Sequence, residues 1–96
     1  MLILLSGCTQ QKSTGSPNTI TIENYTFSPS NLTVTPGTNV TWINNQNVNH
    51  RIVIQGLVNS SILQTGQSFT YTFSNIGIYD YSCSIHPNMK GKIIVQ

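Results

Sequence analysis

The sequence predicts an all-β domain, a sandwich or small barrel of about seven to eight short strands. From residue 19 onward, apolar residues alternate with polar ones in short runs, which is the pattern of a strand with one buried face. Glycine, proline and asparagine interrupt these runs, and no stretch keeps the period of a helix. Many short strands separated by turn signals are typical of antiparallel sandwiches and barrels.

Three strands are predicted in the first half of the domain. Residues 28–30 end the first run, Pro36–Gly37 is a turn signal after the second, and the polar stretch 44–47 ends the third. The apolar residues on the expected buried faces are Ile20 and Ile22, then Leu32 and Val34, then Val40 and Trp42.

The second half contains four more alternating runs around an irregular stretch, 56–67, in which we expect a short edge strand at Ile62–Leu63. The residues that share a face are His50, Ile52 and Ile54; Phe69, Tyr71 and Phe73; Tyr79, Tyr81 and Cys83; and Ile93 and Val95. If these faces point inward, His50 opens one strand and Cys83 closes another. Adjacent antiparallel strands would then bring the two side chains together at one end of the domain.

The N-terminal residues suggest a lipid anchor. The start, residues 1–7, resembles the end of a lipoprotein signal peptide, whose Leu-Ser-Gly-Cys box is cut before a cysteine that then carries lipid, here Cys8. The apolar run is too short to span a bilayer and no basic residue precedes it, so we expect the true start upstream of Met1. Residues 8–18 fit a lipid-anchored flexible spacer, and 19–96 the folded domain. An ordinary apolar N-terminus with a chance cysteine is the alternative.

The charge pattern excludes some functions. The net charge of +2 rests on four basic and two acidic side chains, without a basic run, so no nucleic-acid partner is expected. Only two histidines are present and acidic groups are few, so a catalytic Cys–His pair, and with it an enzyme, is not expected.

A metal site is indicated by Cys83, His86 and Met89, which lie close together, with His50 far upstream. Two imidazoles, one thiolate and a weak thioether are the donor set of a blue-copper electron-transfer site. Zinc is the main competitor, but thioether ligation is not typical of zinc, and the Irving–Williams order favours Cu(II). Taken singly, each residue is most often a packing or surface residue, and a Cys8–Cys83 disulfide is a further alternative. The joint spacing favours metal ligation.

Pro87 fits this interpretation. Its ring fixes its own φ and keeps the preceding residue, His86, away from helical backbone. We therefore expect Pro87 to stiffen the loop that carries the ligands.

The segment Cys83-x-x-His86-Pro87-x-Met89, with a tyrosine two residues before it and a glycine two residues after it, resembles the copper loop of cupredoxins. These type 1 blue copper proteins include amicyanin, pseudoazurin and plastocyanin, and the resemblance covers about residues 19–96. It implies a Greek-key β-barrel that binds one copper ion per chain, with His50 and His86 as imidazole ligands, Cys83 as the thiolate and Met89 as the axial thioether.

One position departs from the family pattern. The residue after the first histidine is often Asn, Ser or Thr in these families and ties the two ligand loops together. Here it is Arg51, so Asn47 and Asn49 are candidates for that tie. An arginine close to the copper and poorly screened would raise the reduction potential.

The resemblance implies a monomeric electron carrier outside the cytoplasmic membrane, which exchanges single electrons transiently with a donor and an acceptor protein. Electrons would pass through His86, in an apolar patch to which Ile85, Pro87 and Leu57 are expected to contribute. Sequons that begin at Asn24, Asn31, Asn39 and Asn59 are weakly consistent with that location. Two alternatives remain: a copper storage, delivery or sensing domain on the same fold, and a metal-free adhesion or interaction domain.

Overall fold

The computed structural model describes residues 18–96, and within that range the chain forms nine β-strands and no helix. In chain order they are β1 Thr19–Glu23, β2 Thr26–Ser28, β3 Asn31–Val34, β4 Thr38–Asn44, β5 Ile52–Ile54, β6 Val58–Asn59, β7 Ser68–Phe73, β8 Gly77–Cys83 and β9 Lys90–Val95.

The strands form two sheets. The five-stranded sheet has the order β3-β9-β8-β5-β6, and the four-stranded sheet has the order β2-β1-β4-β7. Each strand presents every second side chain to the opposite sheet, so the inner faces of both sheets meet in one hydrophobic core. The ring of Trp42 from the four-stranded sheet lies 5.2 Å from that of Tyr81 in the other sheet, edge to face.

The prediction that the strand faces carrying His50 and Cys83 point into the core is confirmed. His50, Ile52 and Ile54 are all buried, and so are Tyr81 and Cys83. The sequence prediction of an all-β sandwich or barrel is therefore correct, and the side chains expected to point inward do so.

The strand number and directions differ from the prediction. Neither β2 nor β6 is among the predicted strands, because each is a very short return strand after a tight turn. A purely antiparallel arrangement is wrong for β3 with β9 and β1 with β4, which pair in parallel because the intervening chain crosses between the sheets. The expected edge strand at Ile62–Leu63 is a single bridge between Leu63 and His50.

The predicted end of a signal peptide and nearly all of the predicted spacer fall on residues 1–17, outside the described residues. Within residues 18–96, no helix has the length and apolar character needed to cross a bilayer.

Candidate metal centre

Two neighbouring strands bring the first imidazole and the thiol together. β5 and β8 run antiparallel, and Ile52 is paired with Cys83, the last residue of β8. His50 lies two residues before Ile52 and shares its inward face. Its position is fixed by Leu63, which accepts the His50 N–H at 3.1 Å and donates its own N–H to the His50 carbonyl at 2.7 Å. The expected meeting of His50 and Cys83 at one end of the domain is confirmed.

Three donor atoms converge at this end. Cys83 Sγ lies 3.5 Å from His50 Nδ1 and 3.7 Å from His86 Nδ1. All three donor atoms lie within 4.8 Å of one another. Met89 is 5% exposed and belongs to the same core cluster as Cys83. The structure therefore brings His50, Cys83 and His86 together, with Met89 buried alongside.

These separations fit a single metal ion. Protein ligands bind a first-row ion such as zinc through sulfur at about 2.3 Å and nitrogen at about 2.0 Å, so two such donors on one ion lie about 3.5–3.8 Å apart. Both sulfur–nitrogen distances, 3.5 and 3.7 Å, agree with that spacing. Cys83 is a buried free thiol, and the alternative of a disulfide with Cys8 involves a residue outside the described range.

The ligand loop is closed by two backbone hydrogen bonds. The Met89 N–H donates to the His86 carbonyl at 2.9 Å, and the Cys83 N–H donates to the Met89 carbonyl at 3.1 Å. Pro87 occupies the second position of the turn that the first bond closes, where its fixed φ is favourable. This position supports the interpretation of Pro87 as a stiffening residue.

The fold and the donor set both occur in known proteins. A family model described as a cupredoxin-like domain matches residues 1–95. This chain belongs to the cupredoxin-like family. The resemblance indicated by the ligand loop is confirmed.

Named cupredoxins match more than two thirds of this chain. Amicyanin of Paracoccus denitrificans is 35% identical over 71 residues, which cover 68% of this chain and 54% of that protein. Plastocyanin of Scenedesmus fuscus is 34% identical over 84 residues, covering 73% and 86%. The chain spans only 54% and 61% of the length of the two Paracoccus amicyanins that it matches.

Solved cupredoxin structures superpose on this chain. A purple cupredoxin from Nitrosopumilus maritimus is 36% identical with a TM-score of 0.78, covering 81% of this chain and 98% of that one. An amicyanin mutant in its reduced Cu(I) form is 27% identical with a TM-score of 0.80, covering 88% and 87%. Cupredoxin relatives bind one copper ion, and His50, Cys83 and His86 form a candidate copper site here, alongside Met89.

Backbone atoms link the two ligand segments of this cupredoxin. The Ser84 N–H donates to the carbonyl oxygen of Arg51 at 3.0 Å. The side chain of Arg51 is directed to the residue after β6, where its Nε donates to the Ser60 carbonyl at 2.9 Å. The link expected from Asn47 or Asn49 is thus made by the peptide group of residue 51, which any residue can supply.

Asn44 organises the segment that leads to His50. It is fully buried, and its Nδ2 donates to the carbonyls of Val48 at 2.8 Å and Leu63 at 2.9 Å. Its Oδ1 accepts the N–H of Gln46 at 2.9 Å. These bonds hold the segment against Leu63, the residue whose backbone also pairs with His50.

Gln46 contacts the first imidazole directly. Its Oε1 lies 3.1 Å from His50 Nε2, so a proton on Nε2 leaves Nδ1 free to face the sulfur of Cys83. Burial lowers the pKa of His50, and the nearby His86 lowers this pKa further. Both effects favour the neutral imidazole that metal binding requires.

The apolar surface predicted around His86 is only partly as the sequence predicts. Ile85 follows the thiol strand and is 42% exposed, as expected for an apolar surface beside His86. The prediction for Leu57 is wrong, because β5 runs away from His50 and places Leu57 in the turn at its far end.

Sequence reasoning missed Asn44, Gln46 and Tyr25. Asn44 and Gln46 lie in a polar stretch where many residues are asparagine or glutamine, and the only signal is that Gln46 precedes His50 by four residues. Tyr25 lies between two strands, and its ring contacts both imidazoles at centroid distances of 6.1 Å from His50 and 5.1 Å from His86.

Proposed function

We propose that this protein is a type 1 copper electron carrier in which His50, Cys83, His86 and Met89 hold the ion. The observation that carries the proposal is the convergence of one thiol and two imidazole Nδ1 atoms at metal-binding separations in a cupredoxin-like domain. Bound copper would supply a reversible one-electron couple between Cu(I) and Cu(II), for which a thiolate and two imidazoles are suitable ligands in both states.

The stiffness of the frame supports an electron carrier. His50 is fixed by the bonds to Leu63, Cys83 ends a seven-residue strand, and the ligand loop is closed by backbone bonds at 2.9 and 3.1 Å. Ligands held in this way change position little between two charge states of the ion, which keeps the reorganisation on electron transfer small. A flexible site would instead suit uptake and release of the metal.

The exposure of the two imidazoles suggests the route of the electron. His50 has no exposed surface, whereas His86 is partly exposed and precedes the exposed Pro87. His86 is therefore the ligand whose edge a partner protein can approach. A small surface around His86 and Ile85 suits weak, transient contact with a donor and an acceptor.

We also infer that the carrier is a monomer held outside the cytoplasmic membrane by a lipid on Cys8. The family's amicyanin-like members and the Leu-Ser-Gly-Cys box support that location. β1 runs from Thr19 toward the Asn24–Tyr25 turn beside the imidazoles, so the chain enters the domain at the end away from the metal site. Replacing Cys8 with serine should move the protein from the membrane fraction to the soluble fraction, and continued membrane association would contradict the anchor.

The decisive test is a Cu(II) titration of the domain followed by visible spectroscopy. Copper bound by a thiolate and two imidazoles should give an intense thiolate-to-copper charge-transfer band. Cys83→Ser should abolish the band, whereas Met89→Leu should keep the colour and change the reduction potential. A wild-type domain that stays colourless with copper would overturn the proposal.

A storage, delivery or sensing domain on the same fold is the second candidate, because its donor set would be the same. The two are separated by cyclic voltammetry and a chelator challenge of the copper-loaded protein. A carrier should show a reversible one-electron wave and retain copper, whereas a delivery protein should lose copper readily to the chelator.

A further inference from the structure

A turn from the four-stranded sheet lies against both imidazoles. Asn24 and Tyr25 connect β1 to β2 with φ values of 53° and 60°, both in the left-handed region. A two-residue hairpin of this kind favours asparagine first and glycine second, because a Cβ atom is unfavourable at positive φ. Tyr25 therefore occupies a position where its side chain weakens the turn.

The side chain at this unfavourable position contacts the metal centre. The ring of Tyr25 lies edge-on to both imidazoles, at interplanar angles of 73° to His50 and 71° to His86. His50 has no exposed surface and His86 is partly exposed, whereas Tyr25 is 49% exposed. Tyr25 is thus an exposed ring that lies against a fully buried imidazole and a partly exposed one.

Gln46 fixes the turn to the metal centre. Its Oε1 accepts the Tyr25 N–H at 2.9 Å and lies 3.1 Å from His50 Nε2. One oxygen atom therefore holds both the backbone of the turn and the ring of His50. The position of the tyrosine ring and the orientation of the imidazole are set together.

We propose that Tyr25 is a positioning residue of the metal centre whose ring limits the access of water to the two imidazoles, fully at the buried His50 and in part at His86. The inference rests on the proposed copper site and explains why a tyrosine occupies a position that favours glycine. Excluding water raises the reduction potential, because hydration stabilises the more highly charged Cu(II) state more than Cu(I).

Three variants distinguish the effect of removing the Tyr25 ring from the effect of easing the Asn24–Tyr25 turn. Tyr25→Gly removes the ring, keeps the N–H that donates to Gln46, and adopts positive φ more easily. Asn24→Gly is the matched control, because it eases the same turn while the ring stays in place. Tyr25→Phe also keeps the ring and should behave as the wild type.

The first measurement uses the metal-free protein. We expect the exchange of the His50 Nε2 proton with water, measured by NMR, to be at least tenfold faster in Tyr25→Gly than in the wild type. Asn24→Gly and Tyr25→Phe should leave this rate unchanged. Thermal unfolding of Tyr25→Gly should occur at the wild-type temperature or above it, which shows that the fold is intact.

The second measurement is the reduction potential of the copper-loaded protein, which should fall in Tyr25→Gly and stay constant in both controls. Wild-type values of the exchange rate or the potential in Tyr25→Gly would overturn the proposal, as would equal changes in Asn24→Gly. If the protein binds no copper in the optical titration, the proposed function is wrong. The proton-exchange rate in the metal-free protein tests the role of the Tyr25 ring whether or not the protein binds copper.

Discussion

At the scale of single residues, the position of His50 depends on a buried side chain that is not a ligand. Asn44 uses its whole amide group inside the protein, where unpaired polar groups are costly. Its three partners belong to the segment before His50 and to Leu63, which pairs with the backbone of His50. The hydrogen bonds of the Asn44 amide group therefore help to fix the position of His50 in the candidate site.

Replacing Asn44 with alanine should destabilise the domain and weaken metal binding. The change leaves the carbonyls of Val48 and Leu63 without this donor, which should lower the free energy of unfolding by at least about 2 kcal/mol. The exposed Asn47 is the matched control, and Asn47→Ala should stay within about 0.5 kcal/mol of the wild type. Urea denaturation of the metal-free proteins and chelator competition measure the two effects. Equal stability of the two variants would contradict the role given to Asn44.

The sequence predicts the candidate ligands better than the residues that hold them. Cysteine, histidine and methionine have distinctive chemistry, and three of them lie in one short segment, so Cys83, His86 and Met89 stand out. Asn44 and Gln46 lie in a stretch rich in similar residues, and their roles arise from contacts with Leu63 and His50 that only folding creates. Tyr25 is the harder case, since its turn contradicts the usual residue preference.

At the scale of strands, the pairing of β8 with β9 leaves no room for a side chain at Gly91. Gly91 pairs with Tyr81, and a Cβ atom at Gly91 would collide with the Tyr81 ring and the Ser30 carbonyl. That carbonyl accepts hydrogen bonds from the Tyr81 hydroxyl at 3.1 Å and from the Lys92 N–H at 2.9 Å. Two strands and the segment before β3 therefore meet where only a hydrogen atom fits.

Gly91→Ala should consequently destabilise the domain by about 1–3 kcal/mol, as overpacking does in well-filled cores. Gly77→Ala is the control, because a Cβ there would meet mainly the partly exposed ring of Tyr79, at 3.3 Å and beyond, which can move. Its effect should be clearly smaller. Denaturant unfolding of the metal-free variants measures both changes, and a Gly91→Ala variant as stable as Gly77→Ala would show that β9 can shift without cost.

Strands are predictable from the sequence more readily than their pairing. Alternation reveals the inward faces of β5 and β8, because the side-chain period follows from backbone geometry alone. The parallel pairs β1–β4 and β3–β9 depend on which sheet the chain enters after each turn. No local pattern encodes that choice, so the expectation of wholly antiparallel pairing is wrong at these two places.

At the scale of the whole molecule, the candidate ligands connect three adjacent strands of the five-stranded sheet. His50 precedes β5, Cys83 ends β8, and Met89 precedes β9. A domain of this size buries a limited share of its chain surface and is only modestly stable. An ion held by all of these residues would bind the folded chain and not the unfolded one, and so would add to the stability of the whole fold.

Copper should therefore raise the melting temperature of the wild-type domain substantially. Free copper at a hundred times the dissociation constant adds about 2.7 kcal/mol, which corresponds to about 10–20 °C for a domain of this size. Calorimetry with and without copper measures the shift, and Cys83→Ser, which lacks the thiolate, should lose most of it. A wild-type melting temperature that is the same with and without copper would favour the alternative of a metal-free interaction domain. A shift that survives in Cys83→Ser would mean that the copper ion gains little binding energy from the thiolate, which would contradict a site built around Cys83.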